Sequence, residues 1–322
     1  MKDTKSFFPD SADILKAASQ ISKFINYTPV LTSSYIDRIT GAQVFFKCEN
    51  FQKVGAFKAR GATNALLSLN PGQRVHGVAT HSSGNHAQAL SWAACIAGIP
   101  AYIVMPVNSS RVKVDAVKGY RGEITSCKPT LEAREETLKM VLQETGATEI
   151  HPYNNLQVIA GQATAALELI NEIKGLNVIV APVGGGGLLS GTALSVHYFL
   201  PGAKVIGAEP EQANDAWLSF EKKQLVPSVD PKTIADGLRT SLGTITFPII
   251  LEHVDHIVTV TEDSIVKAMR MIWERMKIII EPSSAVSVAA LLEKKNEIAG
   301  KRIGLIISGG NVDLDQLPWI TP

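Results

Sequence analysis

The apolar residues of the chain form short runs, and longer segments with one apolar face lie between them. Each run is mostly apolar, a pattern typical of strands whose two faces are both buried in a sheet. The predicted strands cover residues 77–80, 101–105, 123–126, 148–151, 177–182, 204–209, 256–259 and 302–308. Between them apolar residues recur every three or four positions, which predicts amphipathic helices. The predicted helices cover residues 86–97, 110–120, 131–144, 158–173, 188–199, 262–276 and 284–297.

The first part of the chain adds a helix and a strand to this alternation. Asp10 and Ser11 are both suitable N-caps for a helix whose apolar residues lie on one face. A short strand over residues 44–47 is followed by a helical segment over residues 59–69. Alternating strands and helices predict an α/β fold with parallel sheets covered on both faces. The same number of strand–helix pairs fits a closed barrel, so open sheets and a barrel remain as alternatives.

Composition narrows the class of protein. The 322 residues are 45% hydrophobic and 19% charged with a net charge of +1, as in ordinary globular proteins. Because no long run of one charge is present, we expect neither nucleic acid nor a membrane surface as a partner. No stretch approaches the ~20 apolar residues of a membrane span, and Cys48, Cys95 and Cys127 form no CxxC pair. We therefore expect a cytoplasmic protein with reduced thiols.

Lys58 stands where the loop after the short strand enters the next helix. Its neighbours Ala56, Phe57 and Ala59 are apolar, and no carboxylate adjoins it in sequence. An amine in such surroundings loses its proton more easily, and the neutral form reacts with carbonyl groups. From these residues alone, Lys58 is either an imine-forming lysine or an ordinary surface lysine.

Four strand ends carry glycine-rich or polar sequences, and ligands gather at the carboxyl ends of parallel strands. The glycines at 184–187 leave bare backbone N–H groups at a helix N-terminus, which suits a phosphate. The run lacks the third glycine of G-x-G-x-x-G and the ending of a P-loop, so a phosphate monoester fits it better than a dinucleotide. A nicotinamide oxidoreductase and a non-catalytic nucleotide-binding module are the alternatives.

The other three strand ends carry hydroxyl, amide and carboxylate groups. Residues 82–86 can bind a carboxylate through backbone N–H groups, or simply cap the following helix. Ser308 can hydrogen-bond a heteroaromatic nitrogen without protonating it, or belong to a plain glycine turn. Glu209 and Asp215 can hold a hard cation such as Mg²⁺ or Ca²⁺, or lie in a solvated loop.

Taken in order, these motifs resemble those of a known enzyme family. The matching stretches are residues 51–53, 57–62, 82–88, 184–188, 235–237, 281–283 and 308–311. They are similar to the pyridoxal-phosphate enzymes of the tryptophan-synthase-β fold type (fold type II), in the serine racemase and serine/threonine dehydratase branch. The resemblance implies two open, twisted, mostly parallel sheets with helices on both faces, and so excludes the barrel. It also implies a homodimer whose subunits have a large cofactor-binding domain (1–75 and 154–322) and a small mobile domain (76–153).

The resemblance assigns a role to each residue of the site. Lys58 becomes the Schiff-base lysine for pyridoxal 5′-phosphate, and Ser308 becomes the partner of its pyridine nitrogen. The cofactor-binding residues are Phe57, Lys58, Asn85, Gly184, Gly185, Gly186, Gly187, Gly237, Glu281 and Ser308. The substrate-binding residues are Ser82, Ser83, Gly84, Asn85, His86 and Arg134.

Ser83 is the position that divides the family. Many threonine dehydratases have alanine here, whereas serine racemases and hydroxyaspartate dehydratases have serine. Racemisation needs a proton donor on each face of the α-carbon, so Lys58 would serve one face and Ser83 the other. The resemblance thus implies interconversion of L- and D-serine, with dehydration of L-serine to pyruvate and ammonia. The alternative is a dehydratase of L-threonine or threo-3-hydroxyaspartate with little racemase activity.

Residues 273–277 are also close to the pattern of animal serine racemases, which bind a divalent cation (Mg²⁺, Ca²⁺ or Mn²⁺) and ATP as an activator. The implied cation ligands are Glu209, Asp215 and the carbonyl of Ala213. The implied ATP residues, between subunits, are Ser33, Lys53, Tyr120, Arg275, Lys277 and Asn311. Residues 283–285 and the loop 151–155 depart from the family pattern. In the family that loop lies near the substrate side chain. The resemblance therefore says least about the identity of the substrate.

Overall fold

The strands form two separate open sheets in a computed structural model that describes residues 7–320. The strands of the described residues are β1 (Val30–Leu31), β2 (Gln43–Cys48), β3 (Val78–His81), β4 (Ala101–Pro106), β5 (Glu123–Cys127), β6 (Thr148–Glu149), β7 (Val178–Pro182), β8 (Lys204–Pro210), β9 (His256–Val260) and β10 (Arg302–Ile307). The helices are α1 (Ser11–Ile21), α2 (Ser34–Thr40), α3 (Lys58–Leu67), α4 (Pro71–Val75), α5 (Asn85–Ala97), α6 (Arg111–Gly119), α7 (Leu131–Thr145), α8 (Leu156–Glu172), α9 (Gly187–Phe199), α10 (Asp215–Lys222), α11 (Thr246–His253), α12 (Glu262–Met276), α13 (Pro282–Glu293) and α14 (Lys295–Ile298).

The order of the strands decides between the two predicted architectures. The larger sheet has six strands in the order β1-β2-β10-β7-β8-β9, and the smaller has four in the order β5-β4-β3-β6. Neighbouring strands are parallel except β1 and β2, which are antiparallel. The predicted fold class of two mostly parallel open sheets is therefore confirmed, and the barrel alternative is wrong.

Helices cover both faces of the larger sheet, as its apolar strands require. On one face Ile272 of α12 and Val288 of α13 pack with Val180 of β7. On the other face Leu169 of α8 packs with Ile179 of the same strand. Helix α8 also contacts α3 and α9, so the helix that begins at Lys58 rests on the layer that covers this sheet.

The smaller sheet has its own apolar core. Leu90 of α5 and Val117 of α6 pack with Ile103 on one face, and Leu138 of α7 packs with Val104 on the other. The chain between residues 78 and 149 builds this sheet, within the segment 76–153 predicted as a small domain. Movement of that segment upon substrate binding stays a prediction.

The helix and strand boundaries agree closely with the sequence pattern. Every predicted strand is present with its ends shifted by no more than two residues. Asp10 is the N-cap of α1, and its carboxylate accepts a hydrogen bond from the Asp13 backbone over 2.9 Å. The short helices α2, α4, α10 and α11 were not predicted. Helix α11 has Pro248 in its first turn, where a missing N–H costs nothing. No helix in the described part of the chain is long and apolar enough to cross a membrane.

Candidate active site

The segment that carries Lys58 is joined to the end of β10 by backbone hydrogen bonds. The Phe57 N–H donates to the Ser308 carbonyl over 3.0 Å, and the Gly310 N–H donates to the Gly55 carbonyl over 2.9 Å. This short antiparallel pairing puts the first residue of α3 beside the loop that follows β10. Lys58 and Ser308, which are far apart in sequence, therefore reach the same edge of the larger sheet.

The amine of Lys58 lies in a half-buried position between the two sheets. Its Nζ donates to the Pro152 carbonyl over 2.8 Å and lies 5.1 Å from the ring centroid of Phe57. Burial lowers the pKa of this amine to about 8, and the carboxylate of Glu281 opposes that shift. A substantial fraction of the amine is therefore neutral near physiological pH, as imine formation requires.

The four glycines that follow β7 form a narrow, buried turn at the start of α9. Gly186 has a φ of 88°, a conformation that residues with side chains rarely adopt. A Cβ on Gly185 would lie 2.3 Å from Cδ1 of Tyr153, and a Cβ on Gly184 would lie 3.0 Å from Cα of Leu238. Only glycine fits these positions, and the bare N–H groups at the N-terminus of α9 suit a phosphate.

Ser308 has a hydroxyl whose proton is available to a ligand. The Ser284 hydroxyl donates to the Gly309 carbonyl over 2.6 Å and accepts from the Gly309 N–H over 2.7 Å. The Oγ atoms of Ser284 and Ser308 are 3.0 Å apart. Because Ser284 has already used its one proton, Ser308 is the donor of that pair. When a ligand is bound, the hydroxyl can turn from Ser284 and donate this hydrogen bond to an unprotonated ring nitrogen, which fits the pyridine of pyridoxal phosphate.

Asn85 connects the Ser82 loop to the end of the larger sheet. Its amide donates to Glu281 over 2.8 Å, and its Oδ1 accepts from Asn311 over 2.9 Å. Burial is the main cause that raises the pKa of Glu281 to about 7. In the same loop the Ser82 hydroxyl accepts from the Gly84 N–H over 3.3 Å. The loop assigned to the substrate carboxylate is thus held from both of its ends.

Ser83 and Gly237 complete the residues assigned to cofactor and substrate. Ser83 is half-buried in the turn before α5. The Gly237 N–H donates to the Ser283 hydroxyl over 3.1 Å, which ties the 235–237 turn to the start of α13.

Three imidazoles with lowered pKa values surround the Lys58 amine. His86 is buried, its Nε2 lies 2.9 Å from the Ile150 carbonyl, and burial holds its pKa well below the ordinary value. Burial also lowers the pKa of His81, and it lowers that of His151 to about 4. His86 therefore belongs to the structural support of the loop, and the three imidazoles add no positive charge near Lys58 at neutral pH.

Arg134 lies near the opening formed by His81 and the 151–153 loop. The rings of His81 and His151 are 6.0 Å apart edge to face, and those of His151 and Tyr153 are 4.5 Å apart. The Arg134 guanidinium contributes to lowering the pKa of His81, after the larger effect of burial. Its Nε is buried and has no hydrogen-bond partner in the described structure. A donor of this kind is suited to an anionic group on a ligand.

Glu209 and Asp215 lie together at the end of β8 and the start of α10, and both are buried. The Glu209 carboxylate accepts from the N–H groups of Ala216 and Trp217 over 2.9 and 2.8 Å. Neither oxygen of Asp215 makes a hydrogen bond of good geometry. Burial raises the pKa of Asp215 to about 7, and burial and Asp215 together raise that of Glu209. Unused buried oxygens fit a divalent cation, and Ala213 lies in the turn between them.

Of the residues assigned to ATP, Arg275 contacts the ring of Tyr35, and Ser33 and Lys277 lie close in sequence to one or other of these two residues. The Arg275 guanidinium lies 4.3 Å from that ring centroid, and Ser33 is the N-cap of the helix that carries the ring. Lys277 directly follows α12 with a φ of 59°.

The other three residues assigned to ATP lie elsewhere. Asn311 donates to the Val54 carbonyl over 2.7 Å, next to the exposed Lys53. Tyr120 is the C-cap of α6, on the smaller sheet. Whether these groups bind one ligand stays a prediction.

Several groups in the site were missed by the sequence interpretation. They are the carbonyl of Pro152, the hydroxyl of Ser284, the ring of Tyr153 and an ion pair between Lys113 of α6 and Asp236. Ser284, Pro152 and Tyr153 lie in segments that depart from the family pattern, and Asp236 lies in a matching motif, but none of these signals indicated the contact that each residue makes. These groups act through a backbone atom or through contacts between distant segments.

Comparisons with known proteins identify the family of the chain. The family model described as "Pyridoxal-phosphate dependent enzyme" matches residues 21–309. The chain is 50% identical over 313 residues to the β-hydroxyaspartate dehydratase of Paracoccus denitrificans (strain Pd 1222), covering 97% of this chain and 99% of that relative. It is also 50% identical over 313 residues to the serine racemase of Dictyostelium discoideum, covering 96% of each chain.

A solved structure gives the same result for the fold. The crystal structure of serine racemase from Dictyostelium discoideum superposes with a TM-score of 0.90 over 94% of this chain and 98% of that chain, at 50% identity. The residues matched by the family model, 21–309, include every strand of both sheets. The chain therefore belongs to the family of pyridoxal-phosphate dependent enzymes.

Proposed function

We propose that the protein is a pyridoxal-phosphate dependent serine racemase that also dehydrates L-serine to pyruvate and ammonia. The observation that carries the proposal is the Lys58 amine, whose pKa is lowered to about 8 beside a glycine turn and a serine hydroxyl. Serine racemases among the relatives, including one that is 50% identical, support the same function.

Pyridoxal phosphate fits the residues that the chain offers. The turn of Gly184, Gly185, Gly186 and Gly187 suits its phosphate, because a side chain there would clash with its neighbours. Phe57, Asn85, Gly237 and Glu281 would complete its surroundings. When bound, the cofactor supplies an aldehyde for an amine and an electron-withdrawing ring that makes the α-hydrogen of an amino acid acidic.

Two residues of the chain would then move the α-proton. The neutral amine of Lys58 removes the proton from one face of the α-carbon, and the Ser83 hydroxyl returns a proton on the other face. Ser308 donates a hydrogen bond and has no acidic proton, so the ring nitrogen stays unprotonated. Ser82, Gly84, Asn85 and His86 belong to the loop that binds and orients the substrate carboxylate.

A second candidate is a dehydratase of threo-3-hydroxyaspartate with little racemase activity. The observation that favours it is the buried, unpartnered Nε of Arg134 near His81, because such a donor suits a second carboxylate on the substrate. The β-hydroxyaspartate dehydratase relative, at 50% identity, supports the same candidate. L-threonine has no second carboxylate and is the weaker choice on this ground.

The remaining parts of the proposal concern cation, nucleotide, assembly and location. Glu209, Asp215 and the Ala213 carbonyl would bind Mg²⁺, or Ca²⁺ or Mn²⁺, through oxygen atoms, of which the two of Asp215 have no hydrogen-bond partner in the described structure. ATP would act as an activator between the subunits of a homodimer. The residues proposed to bind it are Ser33, Lys53, Tyr120, Arg275, Lys277 and Asn311. We also propose a cytoplasmic location, with neither nucleic acid nor membrane as a partner.

Two measurements test the proposal in sequence. The protein incubated with pyridoxal phosphate should absorb near about 410–420 nm, and borohydride should remove the band and label Lys58. A protein that binds a nicotinamide or a nucleotide alone would show no such label. Chiral analysis of the products from L-serine, L-threonine and threo-3-hydroxyaspartate then separates the candidates. Release of D-serine supports the racemase, whereas turnover of hydroxyaspartate without D-serine would replace it by the dehydratase.

A further inference from the structure

Arg60 lies two residues after Lys58 in α3, and its side chain is completely buried. Its guanidinium contacts two carboxylates at once. Nε and Nη2 donate to Glu49 over 2.7 and 2.8 Å. Nη1 and Nη2 donate to Glu168 of α8 over 2.7 and 2.8 Å. Each pair has the forked, two-bond geometry that fixes the plane of a guanidinium.

A second cation makes this buried cluster neutral. Lys47 of β2 is completely buried, and its Nζ lies 2.6 Å from Glu168 and donates to the Thr28 carbonyl over 2.7 Å. The Thr28 hydroxyl donates to Glu49 over 2.5 Å. Burial alone would raise the pKa of Glu49, but Arg60 holds it below the ordinary value, so the Glu49 carboxylate is ionised. The formal charges of the cluster thus sum to zero, with Arg60 and Lys47 as the cations and Glu49 and Glu168 as the carboxylates.

Stability alone is a poor explanation for such a cluster. Moving charges out of water costs several kcal/mol for each ion, and a well-packed apolar cluster of the same volume is often as stable. What forked ion pairs supply beyond stability is a fixed direction, because the hydrogen bonds form in only one orientation of the groups. The cluster is therefore better suited to orienting an element than to holding it in place.

The element that the cluster orients is the first turn of α3. Successive residues of an α-helix are about 100° apart around the axis, so Lys58 and Arg60 point about 200° apart. Lys58 points to the carbonyl of Pro152, and Arg60 points to Glu168 on α8. A rotation of the turn by about 10° would move a side-chain tip at a radius of about 5–6 Å by roughly 1 Å.

The pair of Arg60 and Glu49 also closes the loop that contains Lys58. Glu49 opens the segment and Arg60 ends it, so the forked bond ties the two ends together. Midway, the side chain of Gln52 is bonded to both backbone groups of Asn26 over 2.8 Å. Rotation of the first turn is thus opposed from behind the helix and along the loop.

We propose that Arg60, acting with Glu49, is a positioning residue that holds the Lys58 amine at its working distance from the α-carbon. The proposal rests on the proposed attachment of the cofactor to Lys58. Arg60 touches neither cofactor nor substrate and acts only through the rotation and seating of the helix turn.

A charge-balanced double variant, Glu49→Gln with Arg60→Met, tests the proposal. It removes one charge of each sign and leaves the pair of Lys47 and Glu168 intact, so we expect a melting temperature within about 5 °C of the wild type. With the turn free to rotate, we expect kcat for L-serine to fall by about 10²-fold, because a shift of about 1 Å at a reacting group costs that much. KM should change by less than about threefold, since the loop for the carboxylate is untouched.

The apoprotein gives a readout that does not need the cofactor. Competitive acetylation followed by peptide mass spectrometry measures the pKa of the Lys58 amine. In the wild type we expect about 8. In the double variant the amine becomes more exposed, and its pKa should rise towards that of an ordinary lysine. A purely structural role for Arg60 would change the melting temperature and leave this value unchanged.

Arg60→Lys and a surface control complete the design. Lysine keeps the positive charge but cannot form the paired hydrogen bonds of a guanidinium with a carboxylate, so kcat should still fall about tenfold or more. The control, Asp263→Asn with Lys267→Met, removes an exposed ion pair on α12 and should behave as the wild type. Wild-type kcat and Lys58 pKa in the double variant, or full activity of Arg60→Lys, would overturn the proposal. If the double variant does not fold, Arg60→Lys decides. Failure of wild-type protein to label at Lys58 would instead contradict the proposed function, and the acetylation result would still stand.

Discussion

The Nζ of Lys58 donates a hydrogen bond of 2.8 Å to the carbonyl oxygen of Pro152. Lys58 begins α3 beside the larger sheet, whereas Pro152 follows β6, the last strand of the smaller sheet in sequence. The bond therefore joins the two sheets at the amine itself. A backbone carbonyl accepts a hydrogen bond without carrying a charge, so it orients the amine without placing a carboxylate beside it.

The lowered pKa of Lys58 predicts how the apoprotein takes up pyridoxal phosphate. The neutral amine is the reacting form, so the rate should rise with pH and level off above about 8, well below the 10.5 of an ordinary lysine. Glu281 opposes the shift, so Glu281→Gln should lower the midpoint further. Stopped-flow absorbance across a pH series measures both. Glu221→Gln, at an exposed site, is the control, and a wild-type midpoint near 10.5 would contradict the burial of the amine.

We expect the substitution Ser83→Ala to separate racemisation of serine from its dehydration. Without the hydroxyl, no donor serves the face opposite Lys58, so D-serine formation should fall by about 10²–10⁴-fold. Dehydration needs only removal of the α-proton and loss of the hydroxyl group, so part of it should remain. Chiral chromatography and a pyruvate assay measure the two products. Ser109→Ala, in a turn of the smaller sheet, is the matched control. D-serine formation at the wild-type rate in Ser83→Ala would disprove the assignment of two bases.

Much of this site follows from the sequence because its parts lie at strand ends. The phosphate role of the four glycines was predicted from residue type and position, since ligands gather at the carboxyl ends of parallel strands. Lys58 and Ser308 stood out for the same reason, but only the resemblance chose between the two interpretations of each. The order of the strands did not follow from periodicity, so the barrel was excluded only by the resemblance, which the strand pairing then confirmed. The carbonyl of Pro152 has no side-chain signature at all. The role of Ser284 depends on how α13 meets the end of β10, which no local pattern reveals.

The raised pKa of Asp215 predicts that stabilisation of the protein by a bound cation depends on pH. Its pKa is raised by burial from 3.8 to about 7, so the folded protein binds more protons than the unfolded chain between those values. Stability without a cation should therefore fall as pH rises from about 4 to 7. Mg²⁺ competes with the proton and relieves the cost of the ionised form, so its stabilising effect should be larger at pH 8 than at pH 6.

Melting curves with Mg²⁺ and with a chelator measure that effect. Asp215→Asn should abolish both the fall in stability that the titration of Asp215 causes and the response of the melting temperature to Mg²⁺, because the amide neither titrates nor carries charge. Asp255→Asn is a less suitable comparison, since its carboxylate accepts from the Val205 N–H over 2.8 Å. Glu221→Gln, which is exposed, is the better control. An equal Mg²⁺ effect in the wild type and in Asp215→Asn would place the cation elsewhere.

Because Gly185 lies so close to the ring of Tyr153, we expect substitutions at the two positions to be coupled in their effect on stability. A Cβ on Gly185 would lie 2.3 Å from the Tyr153 ring, so Gly185→Ala should cost about 1–3 kcal/mol of unfolding free energy and weaken pyridoxal phosphate binding. Tyr153→Phe keeps the ring and loses only the 2.9 Å hydrogen bond to Thr240, so it should cost about 1 kcal/mol.

Combining Gly185→Ala with Tyr153→Ala tests whether the ring is the cause. The smaller residue makes room for the new methyl group, so the double variant should be more stable than the sum of the single effects, with a coupling of about 0.5–3 kcal/mol. Urea denaturation of all four proteins of the cycle gives this value. Gly119→Ala, whose Cβ would meet nothing within 4 Å, should be additive with Tyr153→Ala. Additivity of Gly185→Ala with Tyr153→Ala would mean that the glycine is required by the phosphate turn itself and not by the tyrosine beside it.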